Sequence, residues 1–240
     1  MYNRLKRITK SIVPKKLLDS NEFFFRKLIS FKYKGNDHLC NICSFKLSKF
    51  VILKTKDTLC PNCGSRSRTR RLYNTLCETE VLKGNVLHFS PPKILYKKFK
   101  RLNINYFSSD FENEFTADYQ YDITSLPIED NYFDLIICYH ILEHIENDIK
   151  AMSQLYRVLK PYGVCYIQTP YKDGTTYEDS SIISLAERER AFGQKDHVRI
   201  YSAPDLAKRL ETVGFKIEQK HFEADSYFGF KKETVIIAKK

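Results

Sequence analysis

The sequence predicts an α/β fold with a mainly parallel sheet, preceded by a small cysteine-rich module. The first observation is Phe133–Tyr139 (FDLIICY), a nearly continuous apolar run that is too short for a helix and is typical of a strand covered on both faces. The second is the alternation of short apolar runs with amphipathic segments from Gly84 onward, which is typical of βαβ units. The third is a pair of Cys-x-x-Cys motifs upstream of that alternation.

The net charge of +11 over 240 residues is concentrated at one end of the chain. Residues 1–79 carry a net charge of +13, and residues 80–240 carry a net charge of −2. We therefore expect any contact with a polyanion to come from the first third. Residues 1–36 predict basic amphipathic helices, which either pack on the next module with a solvated basic face or dock on an anionic membrane surface or on RNA. The sequence leaves these alternatives open.

The composition predicts one full α/β domain with a second small module, since 42% of the residues are hydrophobic. No run of about 18 apolar residues predicts a transmembrane helix, and the N-terminus lacks the apolar core and cleavage site of a secretory signal. We therefore expect a cytoplasmic protein. The basic N-terminal residues leave peripheral binding at the inner face of the membrane as an alternative.

The two Cys-x-x-Cys motifs predict a metal site. Sixteen residues separate the pairs, and in a cytosolic chain this arrangement is typical of zinc knuckles rather than of disulfides. Four thiolates close a tetrahedron around zinc and leave no open position, so the expected role is structural. The predicted zinc ribbon with its linker helix covers residues 37–79, and its expected ligands are Cys40, Cys43, Cys60 and Cys63. The arginine-rich stretch Ser65–Arg71 predicts either a phosphate-binding cluster or a solvated helix face.

Residues 80–240 predict the main domain. The expected strands, ending with a closing pair, are Val86–Phe89, Asn105–Ser109, Tyr119–Ile123, Phe133–Tyr139, Val164–Gln168, Phe215–Gln219 and Thr234–Ala238. The expected helices are Lys93–Leu102, Asp148–Leu159, Ile182–Phe192 and Pro204–Val213. The polar stretch 171–200 is long for a connection in a compact domain, and this length is typical of a lid over a binding site.

Polar side chains at the ends of two predicted strands indicate a ligand site. Asp110 ends the second strand, where a carboxylate in a Rossmann-like domain accepts hydrogen bonds from both ribose hydroxyls. His140, Glu143 and His144 follow the buried strand that ends at Tyr139. Because ligands of open α/β sheets bind at the carboxyl ends of the strands, we expect the functional site at this edge.

The stretch YDITSLPIEDNYFDLIICYHILEHIENDIKAMSQLYRVLKPYGVCYIQTP is closely similar to the core of class I S-adenosylmethionine-dependent methyltransferases. The stretches CPNCGSRSR, VLHFSPP, TTYED and GQKDHVRIY further resemble a subgroup of bacterial methyltransferases with an N-terminal zinc ribbon. The resemblance implies a Rossmann-like class I methyltransferase sheet with a small N-terminal zinc ribbon. It also implies S-adenosylmethionine as cofactor, a structural zinc ion, and an association with surface glycans.

The resemblance assigns roles to individual residues. Asp110 would hold the ribose of the cofactor, and Asp122 with Ile123 would hold the adenine. Tyr139 and His140 would face the methyl group.

One departure from the family pattern concerns the loop after the first strand. The family usually has glycines there, whereas this chain has His88-Phe-Ser-Pro-Pro92, and proline offers no N–H donor. We therefore expect His88 and Ser90 to supply contacts to the methionine end of the cofactor.

The predicted function is O-methylation of a sugar, a glycan or another small hydroxylated acceptor. A neutral histidine is the natural base for a hydroxyl, and the candidates are His140, His144 and His197. His197, flanked by Asp196 and Arg199 in the predicted lid, is the expected residue on the acceptor side. Two alternatives stay open: an RNA methyltransferase whose basic first third presents the substrate, and a non-catalytic binding module, suggested by the missing glycines.

Overall fold

The computed structural model describes residues 22–240. The helices predicted within residues 1–21 lie outside this range. The described chain divides into two compact units, of which the first comprises the residues up to Thr79 together with Phe222–Glu233. The second comprises Glu80–His221 with Thr234–Lys240. The first unit therefore combines the cysteine-rich segment with a short segment from the C-terminal part of the chain.

The first unit consists of short elements. Its helices are α1 (Glu22–Ser30), which continues into a 3-10 turn over Phe31–Tyr33, and α2 (Ser67–Glu78). Its strands are β1 (Lys34–Leu39), β2 (Lys46–Leu47), β3 (Val51–Ile52) and β4 (Thr58–Leu59). Strand β1 pairs with β2 and β3 pairs with β4, both in antiparallel fashion. Strands β3 and β4 lie between the two cysteine pairs and are short, because a turn around Lys56 (φ 61°) separates them.

The two cysteine pairs lie in turns that make the same backbone hydrogen bonds. The N–H of Ser44 donates to the carbonyl of Cys40 at 2.8 Å, and the N–H of Gly64 donates to the carbonyl of Cys60 at 2.9 Å. Ser44 and Gly64 both have positive φ angles, 55° and 78°. A left-handed residue directly after the second cysteine therefore turns the chain back in both pairs, so two equivalent turns present the four thiols.

Arg70 is fully buried in the first unit. Its guanidinium donates to the carbonyls of Ser65, Phe228 and Gly229 and to the hydroxyl of Thr58, at distances of 2.5 to 2.8 Å. A buried cation is tolerable only when its donors are paired in this way. Arg70 therefore links helix α2, strand β4 and the segment Phe222–Glu233 within this unit.

Arg71 is buried as well and forms an ion pair with Glu233, with 3.6 Å between Nε and Oε1. Its guanidinium lies 4.3 Å from the centre of the Phe230 ring. Both proposals for the arginine-rich stretch, a phosphate-binding cluster and a solvated face, are therefore wrong for Arg70 and Arg71. These two side chains are internal, whereas Arg66 at the start of α2 is exposed.

The second unit is built on a six-stranded sheet. In chain order the further strands are β5 (Asn85–Phe89), β6 (Asn105–Ser109), β7 (Phe133–Tyr139), β8 (Leu159–Gln168), β9 (Tyr177–Glu178), β10 (Arg199–Ile200), β11 (Lys216–Phe222) and β12 (Glu233–Lys239). The sheet has the order β11-β12-β8-β7-β5-β6, while β9 and β10 form a separate antiparallel pair. Strands β5, β6, β7 and β8 are parallel, and β12 runs antiparallel to β8. The predicted α/β fold with a mainly parallel sheet is confirmed.

Four helices accompany this sheet: α3 (Lys93–Phe99), α4 (Asp148–Val158), α5 (Leu185–Phe192) and α6 (Ala203–Thr212). Three of them begin at a side-chain cap, since Asn147, Ser184 and Ser202 each accept a hydrogen bond from a backbone N–H of the first turn. Helix α5 begins later than the sequence predicts, because Ser184 is its cap. Within the described residues, no helix has the length and apolar character needed to span a membrane.

The apolar run of β7 lies in the centre of the sheet and of the main hydrophobic cluster. Phe133, Ile136 and Cys138 are fully buried and pack in one cluster with Met152 and Leu155 of α4. Burying a large apolar side chain contributes about 1.5–3 kcal/mol. The interpretation of this run as a strand covered on both faces is confirmed, and it places the residues after Tyr139 at the carboxyl edge of the sheet.

The strand predicted over Tyr119–Ile123 is wrong. Only Tyr119 bridges to the sheet, opposite Ser109. The next polar groups are held locally: the N–H of Tyr121 donates to the Ser109 hydroxyl at 2.8 Å, and the Asp122 carboxylate accepts from the N–H of Thr124 at 2.7 Å. These side-chain bonds replace the ladder, so the segment continues as a turn.

His88 of β5 is enclosed in the core. Its Nδ1 lies 3.1 Å from the Tyr106 hydroxyl, and its ring packs on Phe99 with 5.8 Å between centroids. Burial lowers the pKa of His88 from 6.5 to about 3, because the charged imidazolium loses its hydration there. The folded protein therefore holds this side chain neutral.

We predict that His88 makes the protein less stable in acid. Its folded pKa is lower than its unfolded pKa, so its contribution is fully present above pH 6.5 and is lost as the pH falls below that value. At pH 5 the loss is about 2 kcal/mol of unfolding free energy relative to pH 7.5. Urea unfolding of the wild type and of His88→Gln measures this loss, because glutamine cannot take up a proton. The unfolding free energy of the wild type minus that of the variant should become smaller between pH 7.5 and pH 5. A constant difference would contradict the prediction.

Candidate functional site

The candidate site lies at the carboxyl ends of strands β6, β5 and β7. In the parallel register Phe89 lies opposite Ser109, and His88 lies opposite Ile137. The residues that follow these strands therefore reach the same edge of the sheet. The chain moves outward from β5 to β6 and then returns to β7 on the other side of β5. In open α/β sheets, ligands bind in the crevice at such a reversal of strand order.

Two non-glycine residues at this edge have a left-handed backbone. Ser90, directly after β5, has a φ angle of 44°, and His140, directly after β7, has a φ angle of 57°. Backbone hydrogen bonds hold both: the N–H of Ser90 donates to the Ser109 carbonyl, and the N–H of His140 donates to the Gln168 carbonyl, each at 2.7 Å. Such conformations cost free energy and cluster at functional sites. Ser90 thus makes the turn that glycines make in the family pattern.

Asp110 is 4% exposed and is oriented by the loop after β5. The Ser90 hydroxyl donates to its Oδ1 at 2.6 Å, and the N–H of Phe115 donates to its Oδ2 at 2.9 Å. A carboxylate has about four acceptor sites, so capacity remains for two hydroxyl donors. The structure thus brings Ser90 and Asp110 together, and the fixed carboxylate keeps acceptor capacity of the kind that a ribose needs.

The remaining residues expected at the cofactor differ in how accessible their side chains are. Asp122 is exposed, and its Oδ1 caps its own turn by accepting from Thr124. Ile123 is buried in the hydrophobic cluster, so only its backbone is able to contact a cofactor. Tyr139, at the end of β7, is partly exposed beside His140. The enclosed side chain of His88 is not brought to Ser90 and Asp110, and its expected contact with the cofactor gains no support.

His140 forms a pair with Glu143, a residue that the sequence placed at this edge without a role. His140 Nδ1 lies 3.1 Å from Glu143 Oε1, and the carboxyl group is almost fully buried, with 1% of Glu143 exposed. The 3-10 turn Leu142–His144 places the two side chains together, three positions apart. With the proton on Nδ1, facing the Glu143 carboxyl group, the lone pair of the imidazole lies on Nε2.

His197 lies beside this pair rather than in an open loop. It is 3% exposed, and its ring packs edge-on against His144 with 4.7 Å between centroids. His144 Nδ1 lies 3.0 Å from Asp196 Oδ2. Burial, and after it the neighbouring His144, lowers the pKa of His197, so its imidazole is neutral at pH 7. The structure therefore gathers all three histidines that the sequence singled out.

Arg199 anchors the segment that carries His197. It donates to three carbonyls of the turn after β7, those of Leu142, Ile145 and Glu146. The N–H of Val198 also donates to the Glu143 carbonyl at 2.9 Å. These donors pair with carbonyls in and just after the short 3-10 turn, where few intrahelical donors are available. Sequence reasoning noted Arg199 only as a neighbour of His197, because nothing in the sequence links it to a turn more than fifty positions earlier.

Several buried polar atoms near this edge have no hydrogen-bond partner among residues 22–240. They are Glu143 Oε2, Gln168 Oε1, Tyr171 Oη and His197 Nε2. Buried polar groups normally have partners, since leaving one unpaired costs about 1–3 kcal/mol. Their concentration around the end of β7 indicates that this region is shaped for a bound ligand.

The four cysteines of the first unit form a compact cluster. Cys40 Sγ lies 3.7 Å from Cys63 Sγ, and Cys43 Sγ lies 3.8 Å from Cys60 Sγ. All four sulfur atoms lie within 4.8 Å of one another. A tetrahedron with zinc–sulfur bonds of about 2.3 Å has edges of about 3.8 Å. The donor set and its spacing therefore fit a tetrahedral ion.

Comparisons with known proteins agree on the fold of the second unit. A family model described as a methyltransferase domain matches residues 60–220. A solved S-adenosylmethionine-dependent methyltransferase of Archaeoglobus fulgidus superposes with a TM-score of 0.54 at 16% identity, covering 74% of this chain and 95% of that one. At this level of identity, the likeness establishes the fold alone.

Two curated relatives match shorter stretches. A probable S-adenosylmethionine-dependent methyltransferase of Mycolicibacterium smegmatis is 28% identical over 97 residues, covering 40% of this chain and 34% of its own length. The mitochondrial arginine-hydroxylase NDUFAF5 of Danio rerio is 35% identical over 117 residues, covering 46% of this chain and 36% of its own. The chain thus spans about a third of the length of these relatives, and the activities in their names differ.

Proposed function

The chain belongs to the methyltransferase domain family, and from this premise we propose that it transfers a methyl group to a hydroxyl of a sugar, a glycan or another small acceptor. It is a class I S-adenosylmethionine-dependent methyltransferase, with that compound as the expected cofactor. The observation that supports a hydroxyl acceptor is the pair formed by His140 and buried Glu143 at the end of β7. A hydroxyl must lose a proton when it is methylated, and an oriented imidazole is suited to take it.

We propose that the cofactor lies across the ends of β6, β5 and β7. Asp110 would accept from the ribose hydroxyls, and Ser90 would hold that carboxylate in position. Asp122, whose Oδ2 is not used by its own turn, and the backbone of Ile123 would contact the adenine. Tyr139 and His140 would face the methyl group. S-adenosylmethionine, when bound, supplies an electrophilic methyl group on its sulfonium.

The proposed work of the protein is orientation and one proton transfer. Glu143 holds the proton of His140 on Nδ1, and His140 Nε2 takes the proton of the acceptor hydroxyl. Positioning the hydroxyl and excluding water from the crevice provide the rest of the rate enhancement. His197 is assigned to the acceptor side, because its segment closes over the turn that follows His140.

The basic first third supports a second candidate function, methylation of RNA presented by residues 1–79. Burial of Arg70 and Arg71 removes two of its positive charges from that role, so we favour the small acceptor. Docking of residues 1–79 on an anionic membrane surface also stays a proposal. RNA affinity that falls steeply with salt would favour the RNA alternative.

We propose that Cys40, Cys43, Cys60 and Cys63 bind a structural zinc ion and that the first unit is a zinc ribbon. The two equivalent turns and the sulfur–sulfur spacing support this. Four thiolates leave no coordination position open, so this ion would stabilise the unit without taking part in catalysis.

We predict that His140→Ala lowers kcat by about 100- to 10,000-fold, the usual contribution of a general base. Its affinity for S-adenosylhomocysteine, measured by calorimetry, should stay within about twofold, because the side chain acts on the acceptor. His197→Ala should likewise lose turnover and keep cofactor affinity. Loss of cofactor binding in either variant would contradict the acceptor-side assignment.

Asp110→Asn is the matched control for the opposite side of the site. It removes the negative charge that accepts from the ribose, so cofactor affinity should fall by roughly 10- to 100-fold. The two kinds of variant therefore separate cofactor binding from proton transfer. Equal cofactor affinity in Asp110→Asn and the wild type would place the ribose elsewhere.

Removal of the zinc ion should destabilise the first unit by several kcal/mol, since structural zinc contributes directly to folding. Cys43→Ser should lose one equivalent of zinc in elemental analysis and unfold at a lower urea concentration. Cys77→Ser is the matched control, because Cys77 is an exposed free thiol outside the cluster. Unchanged zinc content in Cys43→Ser would refute the site.

A further inference from the structure

Glu143, His144 and His197 bring three metal-binding side chains together in the second unit. One ligand atom from each lies within 4.8 Å of the others. Glu143 and His197 are buried, and His144 is partly exposed. Ligand atoms bound to one ion at about 2.1 Å lie about 3–3.5 Å apart, so small side-chain rotations are enough to bring them onto an ion.

Two of the three side chains are held through their other polar atom. Glu143 Oε1 contacts His140 Nδ1, and His144 Nδ1 contacts the Asp196 carboxylate at 3.0 Å. The segment of His197 is held next to them, since the N–H of Val198 donates to the Glu143 carbonyl at 2.9 Å. Histidines that bind metals nearly always donate their second ring N–H to a carboxylate or a carbonyl in this manner. The cluster has the supporting contacts of a metal site as well as the ligands.

Two buried polar atoms of this cluster lack a hydrogen-bond partner within residues 22–240, which indicates a ligand that the polypeptide does not supply. Glu143 Oε2 and His197 Nε2 are buried and have no hydrogen-bond partner among the described residues. A carboxylate oxygen and an imidazole nitrogen that carries the lone pair are both acceptors, so they cannot pair with each other. A cation between them would satisfy both atoms.

We propose that Glu143, His144 and His197 bind a divalent transition-metal ion through Glu143 Oε2 and one ring nitrogen of each histidine. Two histidines and one carboxylate are a donor set that suits zinc, manganese or iron, and three protein ligands leave coordination positions for further oxygen atoms. The hydrogen bonds of Val198 and Arg199 to the turn fix the distance between the two halves of the site.

This site is separate from the four cysteines and goes beyond the methyl transfer proposed above. An acceptor oxygen bound to the ion would lose its proton more readily, with His140 beside it to receive that proton. This consequence rests on the proposed function, whereas metal binding itself does not. The closing experiment therefore measures binding in the absence of cofactor and acceptor.

The test is a titration of the full chain with Mn²⁺, followed by the electron paramagnetic resonance signal of the free ion. Manganese is chosen because thiolate sites select zinc over it, so the cysteine cluster stays silent. The wild type should bind one equivalent, and Glu143→Gln and His197→Gln should bind at least about 10-fold more weakly. Asp196→Asn, which alters only the support of His144, should weaken binding by roughly 10- to 100-fold.

His221→Gln is the matched control, because His221 is an exposed histidine that contacts Thr234 and lies outside the cluster. It should bind Mn²⁺ like the wild type. Thermal unfolding and calorimetry with S-adenosylhomocysteine show whether each variant is folded. Zinc analysis should find one equivalent beyond the cysteine site in the wild type and none beyond it in His197→Gln. Wild-type protein that binds neither ion beyond the cysteine site, or a folded Glu143→Gln that binds like the wild type, would overturn the proposal.

Discussion

The parallel register of β6, β5 and β7 is the constraint on which the candidate site depends. It brings the ends of three strands to one edge, so that Asp110, Ser90 and His140 reach the same edge although they are far apart in sequence. The buried residues of β7 maintain this register, because shifting the strand by one residue would move each closely packed side chain to the opposite face of the sheet. The packing of the core therefore also determines where the polar groups of the site lie.

The turn after β7 is the second determinant of the site. Its short 3-10 geometry puts Glu143 next to His140, and Arg199 donates to the carbonyls of Leu142 and Glu146 in and after the turn. The same contacts bring His197 over the turn. One arginine thus connects a segment that looked like a free lid to the residues at the sheet edge. The strained backbone of His140 is maintained by this surrounding network.

Much of the fold could be predicted because hydrophobic pattern dictates it. The strands from Val86 to Gln168 and the closing pair followed from apolar runs, but Tyr119–Ile123 did not become a strand, since side chains from Ser109 and Asp122 took its hydrogen bonds. Burial of Arg70 could not be predicted, because its partners come from the far segment Phe222–Glu233. The individual polar residues were visible at the strand ends, whereas their pairing depends on tertiary contacts that no local pattern records.

The central claim is that the edge formed by β6, β5 and β7 holds the cofactor between Asp110 and His140. A crystal structure of the protein with S-adenosylhomocysteine tests it most directly. The account predicts ribose hydroxyls within hydrogen-bond distance of Asp110, with the sulfur atom toward His140. A cofactor bound away from these two residues, or none bound at saturating concentration, would contradict the account.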